Sequence, residues 1–164
     1  MTDAASDGGG ATPALGVATP ADLFDHVGDH LGPTPWHTVT QRQIDLFADS
    51  TGDHQWIHVD VDRATAESPF GGPIAHGYLT LSLANLFLPQ LIVVEAFSMG
   101  INVGLDKVRF PSPVAAGANI RGRGEVVSVD QIGEGVQAVV RVTIEVEAGT
   151  KPACIADTVS RFFP

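Results

Sequence analysis

The stretch Gly71-Gly72-Pro73-Ile74-Ala75-His76-Gly77-Tyr78-Leu79-Thr80-Leu81-Ser82-Leu83-Ala84-Asn85-Leu86-Phe87-Leu88-Pro89 decides how the chain folds. A glycine-rich run feeds directly into a segment that is apolar on most sides, through Leu79, Leu81, Leu83, Leu86, Phe87 and Leu88. Such a helix must be buried deeply. It is predicted from His76 to Pro89, with a kinked extension to Val94.

After Ser98 the period changes. Val136, Ala138, Val140, Val142, Ile144 and Val146 point one way, and Gln137, Val139, Arg141, Thr143, Glu145 and Glu147 the other, as in a half-buried strand. Gly133-Glu134-Gly135 is a turn, so Ile120 to Ile132 and Val136 to Glu147 form an antiparallel hairpin. Asn102–Phe110 and Ala153–Phe163 read as further strands. Helices come first and strands later, which gives an α+β domain with one helix held against an antiparallel sheet.

Upstream, Pro20 to Leu31 reads as a short helix stopped by Gly32-Pro33, and Trp36 to Val39 as a short strand. Thr40-Gln41-Arg42-Gln43 has the capping-box form, with Ile44, Phe47 and Ala48 on one helical face and Gly52 as the stop. Asp53 to Pro73 reads as a polar, punctuated loop.

The 164 residues suit one domain, and no repeat is visible. Apolar residues make up 44% and charged residues 17%, so a core can be buried. There are 19 acids against 9 bases, a net charge of −10. This balance excludes non-specific nucleic-acid binding and a polybasic membrane patch. The single Cys154 excludes a disulfide scaffold and a CxxC motif, and reads as a core or sheet residue. No secretory signal or membrane span is evident, so a cytoplasmic location is expected.

Charge is uneven along the chain. Residues 1–30 hold five acids and no base, leaving 14 acids and 9 bases in the remainder. Residues 1–19 read as a flexible acidic tail preceding a single domain over 20–164. Between Lys107 and Arg123 lie Lys107, Arg109, Arg121 and Arg123 with no acid, a pattern that suits either a small anionic ligand or solvated strand faces.

The densest ionisable group is Asp53-His54-Gln55-Trp56-Ile57-His58-Val59-Asp60. A carboxylate and an imidazole five residues apart can hold one water when the loop curls back. The same residues also serve turns and solvation. A metal set from His54, His58, Asp60 and Asp62 matches neither a zinc nor an EF-hand spacing, and no metal is expected. At Gly77 the unpaired amides of a helix start can face an oxyanion, and the missing side chain admits a close ligand. His76 alternatively serves only as a cap.

These residues resemble the MaoC-like hydratases, the (R)-specific enoyl-CoA hydratase group of the hot-dog fold. The likeness is carried by Gly52-Asp53-x-x-x-x-His58, by Phe70-x-x-Pro73-Ile74-x-His76-Gly77 opening the helix, and by Gly104-Leu105-Asp106-Lys107-Val108-Arg109-Phe110-Pro111-Ser112-Pro113-Val114. The Asp53–Asp60 run looks closest to the nodulation-protein-N-like branch. The resemblance covers Trp36 to Phe163. Many members have Asn-Pro where this chain has Gln55-Trp56, so the turn lacks a proline-fixed φ.

The resemblance implies a long central helix wrapped by a curved antiparallel sheet, in a homodimer. It implies hydration of trans-2-enoyl-CoA to (R)-3-hydroxyacyl-CoA, with Asp53 and His58 catalytic and Gly77 binding the thioester carbonyl. It further implies supporting roles for His76 and for Asn85, which stands where some members place a serine. Lys107, Arg109, Arg121 and Arg123 are the candidate contacts to CoA phosphates. The acyl-CoA is then the substrate, and no cofactor is expected. The rival readings are a hot-dog acyl-CoA thioesterase and a non-catalytic acyl-thioester binder.

Overall fold

The computed structural model describes residues 13–164. Strand β1 (Leu15–Val17) leads into a 3-10 helix over Pro20–His26. Then come β2 (His30–Leu31), β3 (His37–Thr38) and helix α1 (Gln41–Thr51). Two short helices follow, α2 (Trp56–Val59) and α3 (Val61–Glu67). Next are α4 (Gly77–Ser82), α5 (Ala84–Leu91) and β4 (Ile92–Val94). The long strands β5 (Met99–Arg109), β6 (Asn119–Ile132), β7 (Gly135–Val146) and β8 (Cys154–Phe163) complete the chain.

A six-stranded sheet runs β2-β6-β7-β8-β5, with β3 also pairing β6. All its pairings are antiparallel. Alternation along β7 places Val136, Ala138, Val140, Val142 and Ile144 in the core, as the sequence predicts. Against this face α4 and α5 bury Leu79, Leu83, Ala84, Phe87 and Leu91. Phe87 is completely buried, a burial worth about 1.5–3 kcal/mol. Its close approach to β6 requires glycine at 122, where a Cβ would lie 2.6 Å from the Phe87 Cβ. On the opposite face Arg141 clamps the buried Asp157 through Nε at 2.7 Å and Nη2 at 3.0 Å. Cys154 is buried in β8, and burial pushes its thiol pKa up to about 11.

Several expectations need correction. The predicted helix is interrupted at Leu83 and continues to Leu91, despite Pro89. The residues of the proposed extension, 92–94, are instead strand, paired in parallel with Leu15–Val17. β-Branched Ile92, Val93 and Val94 favour the extended backbone. The helix is also less enclosed than its composition suggests, because Tyr78, Ser82, Asn85, Leu86 and Pro89 are exposed along one stripe. The tail boundary at 19 lies too late, since Val17 is buried and 15–17 are strand. The flexible tail proposed for residues 1–12 lies outside the described residues. Only Pro20–His26 of the first predicted helix is helical, while His30–Leu31 pairs with β6.

Candidate active site

Helix α1 begins as its capping residues dictate. Thr40 Oγ1 accepts from the Gln43 amide at 3.2 Å. The reciprocal half of the box is replaced, because Gln43 Oε1 meets His37 Nε2 at 3.2 Å. At the other end Gly52 adopts φ 79° and donates its amide to the Ala48 carbonyl. This left-handed turn reverses the chain and delivers Asp53 to the mouth of the site. Asp53 Oδ1 then accepts from the Gln55 amide at 3.3 Å, a local turn made without proline.

The segment after Gln55 is not open loop, as the sequence suggested. One helical turn, Trp56–Val59, carries His58 inward until it is 6% exposed. Gln41 of α1 holds the turn by donating Nε2–H to the His58 carbonyl at 2.7 Å. Below it, the Ile74 amide donates to the Ile57 carbonyl at 3.0 Å and the Ala75 amide to Val114 at 2.7 Å. Trp56 packs under Arg63, whose guanidinium lies 4.3 Å from the ring centre.

Two histidines meet in this frame. His58 places Nδ1 2.7 Å from the Ile74 carbonyl, and a carbonyl only accepts. The proton therefore sits on Nδ1, and Nε2 carries a lone pair. Burial is the main cause that lowers the His58 pKa, and His76 adds to it, against the Ile74 bond and Asp53, which raise it. His76 is also buried and stacks on His58, with ring centres 3.8 Å apart and planes 28° apart. Its Nε2 lies 2.9 Å from the Asp53 backbone carbonyl. Phe47 also packs against it, with ring centres 5.1 Å apart and planes 51° apart. His54 is turned away, beside Asp49 on the surface; that hydrogen bond is the main cause raising its pKa.

Asp53, His58 and His76 each offer one donor atom, and these atoms lie within 4.8 Å of one another. The set has the composition of a transition-metal site. Its shape does not suit one, because imidazole lone pairs lie in the ring plane and stacked rings aim them along nearly parallel planes. The separation instead suits one water shared between Asp53 and His58.

Gly77 is exposed at the start of α4. Its amide belongs to the first turn, which has no partner within the helix. It lines a groove of about 320 Å³ with Phe70, Ile74, Thr80, Phe110 and Pro113. A second, almost wholly apolar cavity of about 290 Å³ lies between Leu88, Val93, Val94, Phe97, Ala138 and Phe162.

The other predicted site residues scatter. Asn85 lies nine residues beyond His76, roughly 13 Å along a helix, and lines a different groove with Leu88 and Ile101. The structure does not bring it to Asp53. The four bases form no single patch. Arg121 and Arg123 share a face, as predicted, but both are bound through Nε to Glu145, at 2.7 and 2.9 Å. Arg121 also lies over Trp36 at 4.5 Å. Strand β6 is three strand spacings from β5, roughly 14 Å. Lys107 and Arg109 are exposed on β5, but a register shift between Asp106 and Arg109 with Lys107 at φ 49° breaks the alternation that would align them. Arg109 immediately precedes Phe110, a wall of the Gly77 groove. Sequence reasoning gave no site role to Gln41, Phe47 or Ile74, although they stand in its capping-box, helix-face and motif stretches; they hold the histidines by hydrogen bonds and packing, not by titrating.

A six-stranded antiparallel sheet packed against the α4–α5 helix, with Asp53 and His58 beside the helix start, is the architecture of the hot-dog class of hydratases and dehydratases. The solved structures agree on the fold. An R-hydratase, PhaJ1, from Pseudomonas aeruginosa matches with TM-score 0.67 and 25% identity over 88% of this chain and 85% of its own. The (R)-hydratase from A. caviae involved in PHA biosynthesis matches with TM-score 0.67 and 22% identity over 84% and 96%. Within that class the chain belongs to the MaoC-like domain family, whose model matches residues 23–148. It is similar to 3-hydroxyacyl-thioester dehydratase Z of Mycobacterium tuberculosis, 48% identical over 143 residues, 87% of this chain and 94% of that protein. It is also similar to nodulation protein N of Rhizobium leguminosarum bv. viciae, 45% identical over 148 residues, covering 88% and 92%.

Proposed function

We propose that this protein reversibly hydrates trans-2-enoyl-CoA thioesters to (R)-3-hydroxyacyl-CoA. The observation that carries the reading is that a carboxylate oxygen of Asp53 lies within 4.8 Å of a ring nitrogen of His58, whose Nδ1 is bonded to the Ile74 carbonyl. Water held there donates one hydrogen to each acceptor. Its oxygen adds to Cβ of the enoyl thioester while Asp53 takes a proton, and charge moves onto the thioester oxygen. The Gly77 amide stabilises that oxygen. The captured proton returns to Cα, so the overall change is the addition of one water. Dehydration is the same path reversed, and the scheme draws on no cofactor. The name of the mycobacterial relative supports the thioester class.

The groove at Gly77 suits the thioester and pantetheine arm. Lys107 and Arg109 on the adjoining strand are the proposed phosphate contacts, and Arg121 and Arg123 are withdrawn from that role by Glu145. The proposed working unit is a homodimer. Among the described residues strand β5 is a sheet edge, and Met99, Ile101, Val103 and Leu105 stand exposed along it at every second residue. An uncovered apolar edge of this kind is a pairing surface.

The test uses crotonyl-CoA. Loss of enoyl absorbance without release of thiol is the expected result. Thiol released from saturated acyl-CoA would establish a thioesterase instead. Equal, negligible turnover by the wild type and Asp53→Asn across an enoyl-CoA panel, with acyl-CoA binding retained by both, would establish a binding protein. In an active protein, Asp53→Asn or His58→Gln lowers kcat by at least ~10²-fold.

A further inference from the structure

We infer that His76 is a positioning residue, which sets the backbone of Asp53 by a hydrogen bond from its side chain while its ring forms the floor under His58. This rests on the hydratase reading for its kinetic consequence, but not for its structural one. The sequence offered His76 as a cap for the following helix. The structure removes that role, because the side chain makes no capping bond. The imidazole points back across the site instead, to Asp53, which lies 23 residues earlier in the chain.

The proton position follows from the partners. The Asp53 carbonyl can only accept, so His76 Nε2 carries the hydrogen. Among the described residues Nδ1 is buried with no hydrogen-bond partner. A hydrogen there would be an orphaned buried donor, so Nδ1 keeps the lone pair. His58 is protonated on the opposite atom, Nδ1, by the same logic.

The geometry explains why Asp53 needs this support. It is exposed, lies between two helices, and follows a left-handed glycine. The bonds that its own loop gives it are long, 3.4 Å from its amide to Thr51 Oγ1 and 3.3 Å from the Gln55 amide to Oδ1. Against these, the His76 bond at 2.9 Å comes from a buried side chain packed against both Phe47 and His58. One ring therefore fixes the heights of both catalytic groups relative to each other. It also adjoins Gly77 in the chain, so the carbonyl-binding amide and the acid–base pair share one anchor.

Two variants separate the hydrogen bond from the packing. His76→Gln keeps an N–H donor near the Nε2 position and loses the stacked ring. His76→Phe keeps a ring packed against Phe47 and His58 and loses the donor. The expected result is that His76→Phe lowers kcat by ~10- to 10²-fold with KM unchanged, a misplacement effect, and that His76→Gln, which restores the donor but not the floor, recovers part of it. The second readout needs no turnover: amide hydrogen exchange at Gln55 and His58. His76→Phe should speed it by at least ~10-fold, and His76→Gln should not. A third uses the wild type alone: long-range proton–nitrogen spectra should show His76 protonated on Nε2.

Exchange in His76→Phe equal to wild type, or a His76→Gln variant no better than His76→Phe, overturns the proposal. So does a His76 protonated on Nδ1, which also covers the case where a variant does not fold. If the wild type hydrates no enoyl thioester, the hydratase reading fails, and the exchange and spectral results still decide the role of His76.

Discussion

His58 Nδ1 donates to the carbonyl of Ile74 at 2.7 Å, and this bond sets the direction in which the ring can work. It holds the outward nitrogen as an acceptor. With burial lowering the pKa, the ring stays neutral below the pH at which a free histidine takes up a proton.

A pH prediction follows with a definite sign. Activity that requires neutral His58 should hold as pH falls past the ordinary value of 6.5 and drop only at the lowered pKa. Stability behaves differently. Between those two pH values the unfolded chain binds a proton that the native state refuses, so stability falls with falling pH across that window and levels below it. Asp53 opposes the shift, and His76 reinforces it. His54, raised by Asp49, contributes with the opposite sign, so the comparison belongs in a His54→Asn background. Denaturation midpoints measured between pH 7 and 5 should show a slope that His58→Gln flattens. An unchanged slope would contradict the assignment.

Gly122→Ala should destabilise the fold by roughly 1–3 kcal/mol, because the added methyl overpacks the helix–sheet contact. The site offers no room, with Phe87 Cβ 2.6 Å and Cγ 2.8 Å from the new atom. Thermal unfolding checks this, and Gly104→Ala, where nothing lies within 4 Å, is the control expected to change far less.

The four basic residues should separate functionally. Lys107→Ala and Arg109→Ala are expected to raise KM for a CoA thioester but not for a thioester lacking the phosphates. Arg121→Ala should leave both KM values alone, since its guanidinium is already bound to Glu145 and stacked on Trp36. Its effect on stability should stay near the ~1 kcal/mol ceiling of partly exposed ion pairs. Steady-state kinetics with the two thioester classes reads the difference.

Charge placed on the β5 edge should disperse the dimer. Ile101→Lys and Val103→Glu substitute exposed residues, so neither disturbs the protomer core. Light scattering after size exclusion should report a dimer for the wild type and a monomer for the double variant. A wild-type monomer at micromolar concentration would refute the pairing surface.

Much of the fold was readable along the chain. The β7 alternation, the turn at Gly133 and the caps of α1 at Thr40 and Gly52 are local properties, and each appears where the residues place it. The ends of elements were less readable. Ile92–Val94 became strand because Leu15–Val17 lies alongside, a partner far away in sequence. The exposed stripe from Tyr78 to Pro89 likewise had no local signal, since composition reports how apolar a helix is but not what covers it.

By itself the sequence determined the chemistry available: one acid and one imidazole five residues apart, a glycine at a helix start, and an anionic chain with few bases. Residue type and spacing suffice for that, because they set donors, acceptors and local turns. Only the tertiary structure decided which groups meet. It stacked His76 on His58, aimed it at Asp53, left Asn85 on another groove, and locked Arg121 and Arg123 to Glu145. These outcomes depend on contacts between segments distant in sequence. Closing those segments together costs chain entropy that only the packed core offsets, so no local pattern announces them.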